Sequence, residues 1–359
     1  MADISNPSTW PSLATGDAEW DGVVKSLPDG PPDIGAFTDI PSLRQFVAAA
    51  KGQSSLPPAP AGIKEEERQI SMRDGHKIAV RIHGPEKAPS GGSPLGVLYH
   101  GGGWCIGGLD DEVPLIRRLV SDYGMTVVNV DYRMGPEYKF PAASDDCFDA
   151  TKWVCLPNPP IFVVSLLIFS KAAENASALG ADPSKGFIIG GNSAGGNLTA
   201  VVSLLWRDAN ITPKLTGALL KVPAVCSPVG YPEKYRKELQ SWDQLEFAAI
   251  LSRKAFDLFM NNYIPDVEQR KDPRMSPLLW KTGLQDLPPQ VFQICGADPL
   301  RDEALVYERI LREDHGVKTK VEMYPGLPHG FWSLFPQMKA SEKFMDDSVK
   351  AVGWLLEQK

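Results

Sequence analysis

The stretch Phe187-Ile188-Ile189-Gly190-Gly191-Asn192-Ser193-Ala194-Gly195-Gly196-Asn197-Leu198 constrains this chain more than any other. An apolar run of strand type meets a glycine pair, a serine between small residues and two further glycines. A helical pattern then continues through Ala200, Val201 and Leu204. That order predicts a strand, a very tight turn and a helix. Within it, Gly191-Asn192-Ser193-Ala194-Gly195 matches G-x-S-x-G, the pattern in which a serine is held in strained backbone geometry. A side chain on either flanking glycine would collide with the neighbouring strand or helix. The turn pushes the Ser193 hydroxyl out at the start of the helix, where amide hydrogens and the helix dipole favour developing negative charge. The pentapeptide alone also fits an ordinary strand-to-helix loop; the strand before it and the helix after it favour a nucleophile.

A chain of 359 residues can bury one large α/β core with insertions. Its formal net charge of −7 and sequence pI near 5.4 argue against nucleic acid and acidic membrane surfaces as partners, and suit a small neutral or apolar substrate. Cys105, Cys147, Cys155, Cys226 and Cys295 are odd in number and never spaced as C-x-x-C. Free thiols in a reducing compartment fit that usage better than a disulfide frame. The first residues show no basic region followed by an apolar one, so a cytoplasmic location is expected, with no membrane span, metal or cofactor.

Residues 1–60 are rich in Pro, Gly, Asp and Ser, with one expected helix, Pro41 to Ala50, and a linker from Gln53 to Pro60. They are read as an arm contributing to a cap, ahead of a catalytic domain over 61–359. Gln69–Met72 and His76–Ile82, joined through Asp74-Gly75, form a hairpin signal. The short strand Gly96–Tyr99 then leads into His100-Gly101-Gly102-Gly103-Trp104. Three consecutive glycines are costly in unfolded-chain entropy, so bare backbone is needed there. The next strand, Met125–Val130, ends in Asp131-Tyr132-Arg133, and Asp131, Arg133 and Glu137 are expected to brace the glycine loop.

Residues 154–171 stand apart. They separate two helical halves, Ala142–Trp153 and Ala172–Gly180, with three prolines and an apolar run, Ile161–Phe169. That run is shorter than the roughly 20 residues a bilayer span needs. The codons for Val154-Cys155 can spell a splice donor, so the block reads as translated intron; a small extra loop at the sheet end away from Ser193 is the competing reading. Farther on, an aromatic insertion over about 230–280 reads as a lid over a pocket. Asp298 stands just past the strand Gln290–Cys295, where either an acid partner or a helix N-cap is expected. Asp302 is a rival acid inside the helix. His329, between Pro328 and Gly330 after the last strand, has no role in helix or sheet packing.

The order Ser193, Asp298, His329 is that of α/β-hydrolases. His329 can take the hydroxyl proton and Asp298 can hold the imidazole, while amides of Gly102, Gly103 and Ala194 receive an oxyanion, each donor being worth about 3 kcal/mol in such sites. His100-Gly101-Gly102-Gly103-Trp104, Asp131-Tyr132-Arg133, Gly191-Asn192-Ser193-Ala194-Gly195-Gly196, Asp298-Pro299-Leu300-Arg301-Asp302 and Gly326-Leu327-Pro328-His329-Gly330-Phe331 together resemble the hormone-sensitive lipase family of carboxylesterases, over roughly residues 60–357. The style also resembles fungal esterases that deacetylate secondary metabolites. The resemblance implies an eight-stranded, mostly parallel sheet with helices on both faces and a helical cap. It implies Gly102 and Gly103 in the oxyanion hole and a serine esterase for short- to medium-chain acyl esters of small molecules. Met134-Gly135 departs from the family's more frequent Leu-Ala. A small-molecule receptor on the same scaffold, an amidase and a lactonase remain alternatives, as does a homodimer.

Overall fold

The computed structural model describes residues 4–52, 56–155 and 174–358. In chain order the helices are α1 (Ala18–Ser26), α2 (Ile40–Gly52), α3 (Val113–Tyr123), α4 (Ala142–Cys155), α5 (Glu174–Ala178), α6 (Ala194–Asp208), α7 (Ser241–Gln244), α8 (Arg253–Tyr263), α9 (Arg301–Arg309), α10 (Phe331–Leu334) and α11 (Lys339–Glu357). The strands are β1 (Ile63–Ser71), β2 (Lys77–Pro85), β3 (Leu95–Tyr99), β4 (Thr126–Val130), β5 (Phe187–Asn192), β6 (Gly217–Lys221), β7 (Gln290–Ala297) and β8 (Thr319–Pro328).

One eight-stranded sheet runs in the order β1-β2-β4-β3-β5-β6-β7-β8. The β1–β2 and β2–β4 pairs are antiparallel and every later pair is parallel. Parallel strands covered on both faces are apolar along most of their length, and the pairs Val127/Val128, Ile188/Ile189 and Leu219/Leu220 show how the pleat distributes such residues. Val127, Ile188 and Leu219 pack with Leu115, Ile116 and Leu119 of α3 and Val352 and Leu355 of α11. Val128, Ile189 and Leu220 face the opposite layer, with Ala150 of α4, Leu198 of α6 and Leu305 of α9. Each fully buried aliphatic chain contributes about 1.5–3 kcal/mol.

The hairpin expected at Asp74-Gly75 is present: Gly75 takes φ +81°, and Met72 N–H donates to the His76 carbonyl at 2.8 Å. The arm differs from expectation. Besides α2 it contains α1 and a 3₁₀ segment, Pro7–Ala14, which buries Trp10 and Leu13. The α1 helix, N-capped by Asp17, fully buries only Trp20, against Phe335 at 5.3 Å. One buried apolar residue in nine is too thin a stripe for a periodicity to reveal. Asp33 bridges Ile250, and Gly35 lies against Ser252 and Ala255 at the start of α8, so the arm and the 230–280 insertion are in contact.

The block 154–171 lies, apart from Val154 and Cys155, outside the described residues. Its flanks meet: the Asn175 amide donates to the Trp153 carbonyl at 2.8 Å, and removal of the block would set Asn175 one helical turn after Trp153. Gly180 accepts from Ser93 N–H just before β3, at the end of the sheet opposite Ser193.

Because Trp10 is 1% exposed within the main core, Trp10→Ala should lower stability by about 3–5 kcal/mol in urea unfolding. A loss below about 1 kcal/mol would show that the arm is not part of the folding core.

Candidate active site

Ser193 sits between β5 and α6 with φ 53° and ψ −116°, a conformation that costs about 1–3 kcal/mol and persists only when its surroundings enforce it. They do. A Cβ on Gly191 or Gly195 would lie 2.4 or 2.0 Å from the Tyr99 carbonyl oxygen, so β3 and the turn touch through bare backbone. Ser193 N–H donates to the Lys221 carbonyl of β6 at 2.8 Å, which ties the turn to the neighbouring strand.

The other two side chains arrive by strand pairing. After a register shift at Cys295/Ala297, Ala297 at the end of β7 pairs with Pro328 at the end of β8. The next residue on each strand, Asp298 and His329, therefore emerges at the same place. His329 Nδ1 lies 2.7 Å from Asp298 Oδ2, and His329 Nε2 lies 2.8 Å from Ser193 Oγ. Asp298 is 1% and His329 8% exposed. Asp298 is not the N-cap of α9, a position taken by Leu300; its Oδ1 accepts from Leu300 N–H at 2.9 Å in the turn ahead of the helix. The rival acid, Asp302, is engaged elsewhere, by Arg301 Nε at 2.7 Å and Gln240 N–H at 2.9 Å. With the proton on Nδ1 facing the carboxylate, the Nε2 lone pair is free to accept the serine proton.

The glycine loop follows β3. A Cβ on Gly101, Gly102 or Gly103 would fall 2.0 Å from Asn192 Oδ1, 2.2 Å from the Ile106 carbonyl or 2.3 Å from the Phe259 ring, respectively. The N–H groups of Gly102, Gly103 and Ala194 donate to no acceptor among the described residues. Three uncommitted amides beside a serine turn can receive an oxyanion.

The bracing of this loop departs from expectation. Of Asp131, Arg133 and Glu137, Asp131 acts electrostatically on the buried His100 ring at the head of the loop, Glu137 reaches the loop through a residue that local pattern could not reveal, and Arg133 does not join it. Arg44 of α2 donates to the Cys105 carbonyl at 2.8 Å and the Gly135 carbonyl at 2.7 Å, and pairs with both Glu137 oxygens. Arg133 turns to Asp146 and Asp74, each at 2.7 Å. The Tyr132 hydroxyl donates to the His100 carbonyl at 2.8 Å, with the two rings stacked 4.2 Å apart. From the insertion, Tyr263 of α8 stacks on Trp104 at 5.2 Å. A cavity of about 660 Å³ lined by Arg44, His76, Asp131, Arg133 and Glu137 lies behind this loop, and Ser193 is not in its wall. Among the described residues no His, Cys, Asp and Glu side chains group to hold a metal ion, and no helix is long and apolar enough to cross a membrane.

A family model described as alpha/beta hydrolase fold matches residues 96–333. The chain is an alpha/beta hydrolase. This hydrolase is 35% identical to AB hydrolase superfamily protein B1A11.02 of Schizosaccharomyces pombe, over 95% of this chain and 94% of that one. It is 32% identical to versiconal hemiacetal acetate esterase of Dothistroma septosporum, over 86% and 87% of the two chains. Among solved structures, vibralactone cyclase superposes with a TM-score of 0.81 at 31% identity, covering 97% of this chain and 96% of that one.

One further buried acid of the hydrolase supports the site from below. Glu303 of α9 accepts from Val225 and Cys226 N–H at 2.8 and 3.1 Å and from the Tyr231 hydroxyl at 2.9 Å, holding the loop that leaves β6. Burial outweighs these bonds and pushes its carboxyl up to about 8. An unfolded glutamate ionises near 4.3, so the contribution of Glu303 to stability is fully present below that pH and is lost as pH rises through 8. Thermal midpoints of the wild type should therefore fall more steeply between pH 5 and 8 than those of Glu303→Gln; parallel profiles would show that the carboxyl is ionised in the folded state.

Proposed function

We propose that this protein hydrolyses short- to medium-chain acyl esters of small molecules through an acyl-enzyme on Ser193. Ser193 Oγ attacks the ester carbonyl carbon as its proton passes to His329 Nε2, and Asp298 stabilises the imidazolium that results. The amides of Gly102, Gly103 and Ala194 hold the tetrahedral oxyanion. Collapse breaks the bond to the alcohol, which leaves with the proton from His329. Water, deprotonated by the same imidazole, then attacks the acyl carbon and frees the acid and Ser193. The unbroken path of 2.8 and 2.7 Å contacts from Ser193 through His329 to Asp298 carries this reading. A receptor on the same scaffold needs no such path.

Likeness to versiconal hemiacetal acetate esterase supports an acetate ester of a secondary metabolite as the substrate class. Likeness to vibralactone cyclase supports a second reading, in which lactone-forming or lactone-opening acyl chemistry runs through the same serine. We take residues 1–60 with the 230–280 insertion as the cap over a catalytic domain spanning 61–359. The cytoplasm is the proposed location, since all five thiols are buried and free.

Ser193→Ala should abolish hydrolysis of p-nitrophenyl acetate, and Asp298→Asn should lower kcat by about 10⁴-fold. Asp302→Asn, which leaves the Asp298–His329 contact in place, should lower the melting temperature far more than the rate. Undiminished activity in Ser193→Ala would remove this mechanism.

A further inference from the structure

Directly beneath the serine lies a buried charge pair that the proposed chemistry does not use. Asn192, the last residue of β5, pairs in parallel register with Lys221, the last of β6, so their side chains leave the same face of the sheet. That face is the one covered by α3, and Glu112 immediately precedes the first residue of that helix. Lys221 Nζ lies 2.6 Å from Glu112 Oε2, with the two side chains 4% and 2% exposed. The second Glu112 oxygen, Oε1, accepts from the Asn192 amide Nδ2.

The bond to Glu112 decides which way the Asn192 carboxamide points. With Nδ2 turned to the carboxylate, Oδ1 is turned to the glycine loop and packs on the Gly101 backbone so closely that no Cβ fits there. Asn192 thus touches the oxyanion loop on one side and precedes Ser193 on the other. The Lys221 main chain closes the arrangement by accepting the Ser193 N–H.

A buried ion pair is a poor source of stability, because desolvation offsets its attraction. It does hold geometry, and here it also keeps the ground beneath a developing oxyanion neutral. An unpaired Glu112 carboxylate, itself buried and so poorly screened by water, would raise the energy of that oxyanion. We propose that Glu112 and Lys221 are positioning residues, acting through the Asn192 carboxamide to set the spacing between the Ser193 hydroxyl and the amides of Gly102 and Gly103. This rests on the esterase reading and deepens it.

The experiment measures kcat and KM with p-nitrophenyl acetate, the inhibition constant of phenylboronic acid as a tetrahedral adduct, and the melting temperature. Asn192→Ala leaves the ion pair intact, so it tests the bridge without stranding a charge. It should lower kcat by about 10–100-fold with KM within about threefold, and weaken boronate inhibition in parallel. Lys221→Met should lose at least as much, and adding Glu112→Gln to it should restore kcat about tenfold or more, because neighbouring groups that act as a unit are not additive. Wild-type kcat and boronate affinity in Asn192→Ala, whatever its melting temperature, would overturn the proposal. So would a double variant whose loss is the product of the two single losses. A wild-type protein that neither hydrolyses esters nor binds the boronate would instead overturn the esterase reading, whereas an active wild type with an insensitive Asn192→Ala overturns the positioning role alone.

Discussion

The contact between the Ser193 turn and the end of β3 is the constraint on which the site depends. A non-glycine residue at φ 53°, ψ −116° is unfavourable in isolation. It is held because Gly191 and Gly195 let the Tyr99 carbonyl approach to a distance that no side chain would allow, and because Lys221 captures the Ser193 amide. The same close approach sets the glycine loop, which continues from Tyr99, beside the serine. Strain at one residue and proximity between two loops therefore have a single physical source.

Around this point the polar groups divide into those that meet the serine and those that hold the groups meeting it. His329 belongs to the first kind, and Asp298, which holds its imidazole, arrives with it from the matched ends of β7 and β8. Arg44, Tyr132, Glu303 and the Glu112–Lys221 pair belong to the second. Arg44 is notable for its reach: a single guanidinium links α2 to the loop after Gly103 and to the segment after β4. Aromatic groups of α8, Phe259 against Gly103 and Tyr263 against Trp104, cover the same loop from the other side. The glycine loop is thereby clamped between the arm and the insertion, although its three glycines have no side chains with which to pack.

Much of this was legible along the chain. The strand and helix around Ser193, the hairpin at Asp74-Gly75 and the helix expected over Pro41–Ala50 rest on local pattern, because apolar runs, turn glycines and caps act over a few residues. The proposed triad was readable because each member stands at a strand end within two residues of Gly or Pro. Other features lacked a local signal. The α1 helix has too little apolar surface to stand out, and Arg133 was assigned to a brace it does not join, since only folding shows that Asp146 and Asp74 lie nearer. Arg44 and Glu137 are separated by 93 residues, and Glu112 and Lys221 by 109.

The amino-acid sequence by itself determined where bare backbone, a strained serine and a mobile proton had to occur, because backbone freedom and side-chain chemistry are properties of individual residues. Tertiary structure alone decided which charges meet. An ion pair or a hydrogen bond depends on distances across the sheet and between layers, and those distances exist only once the β-strands have taken their order and register.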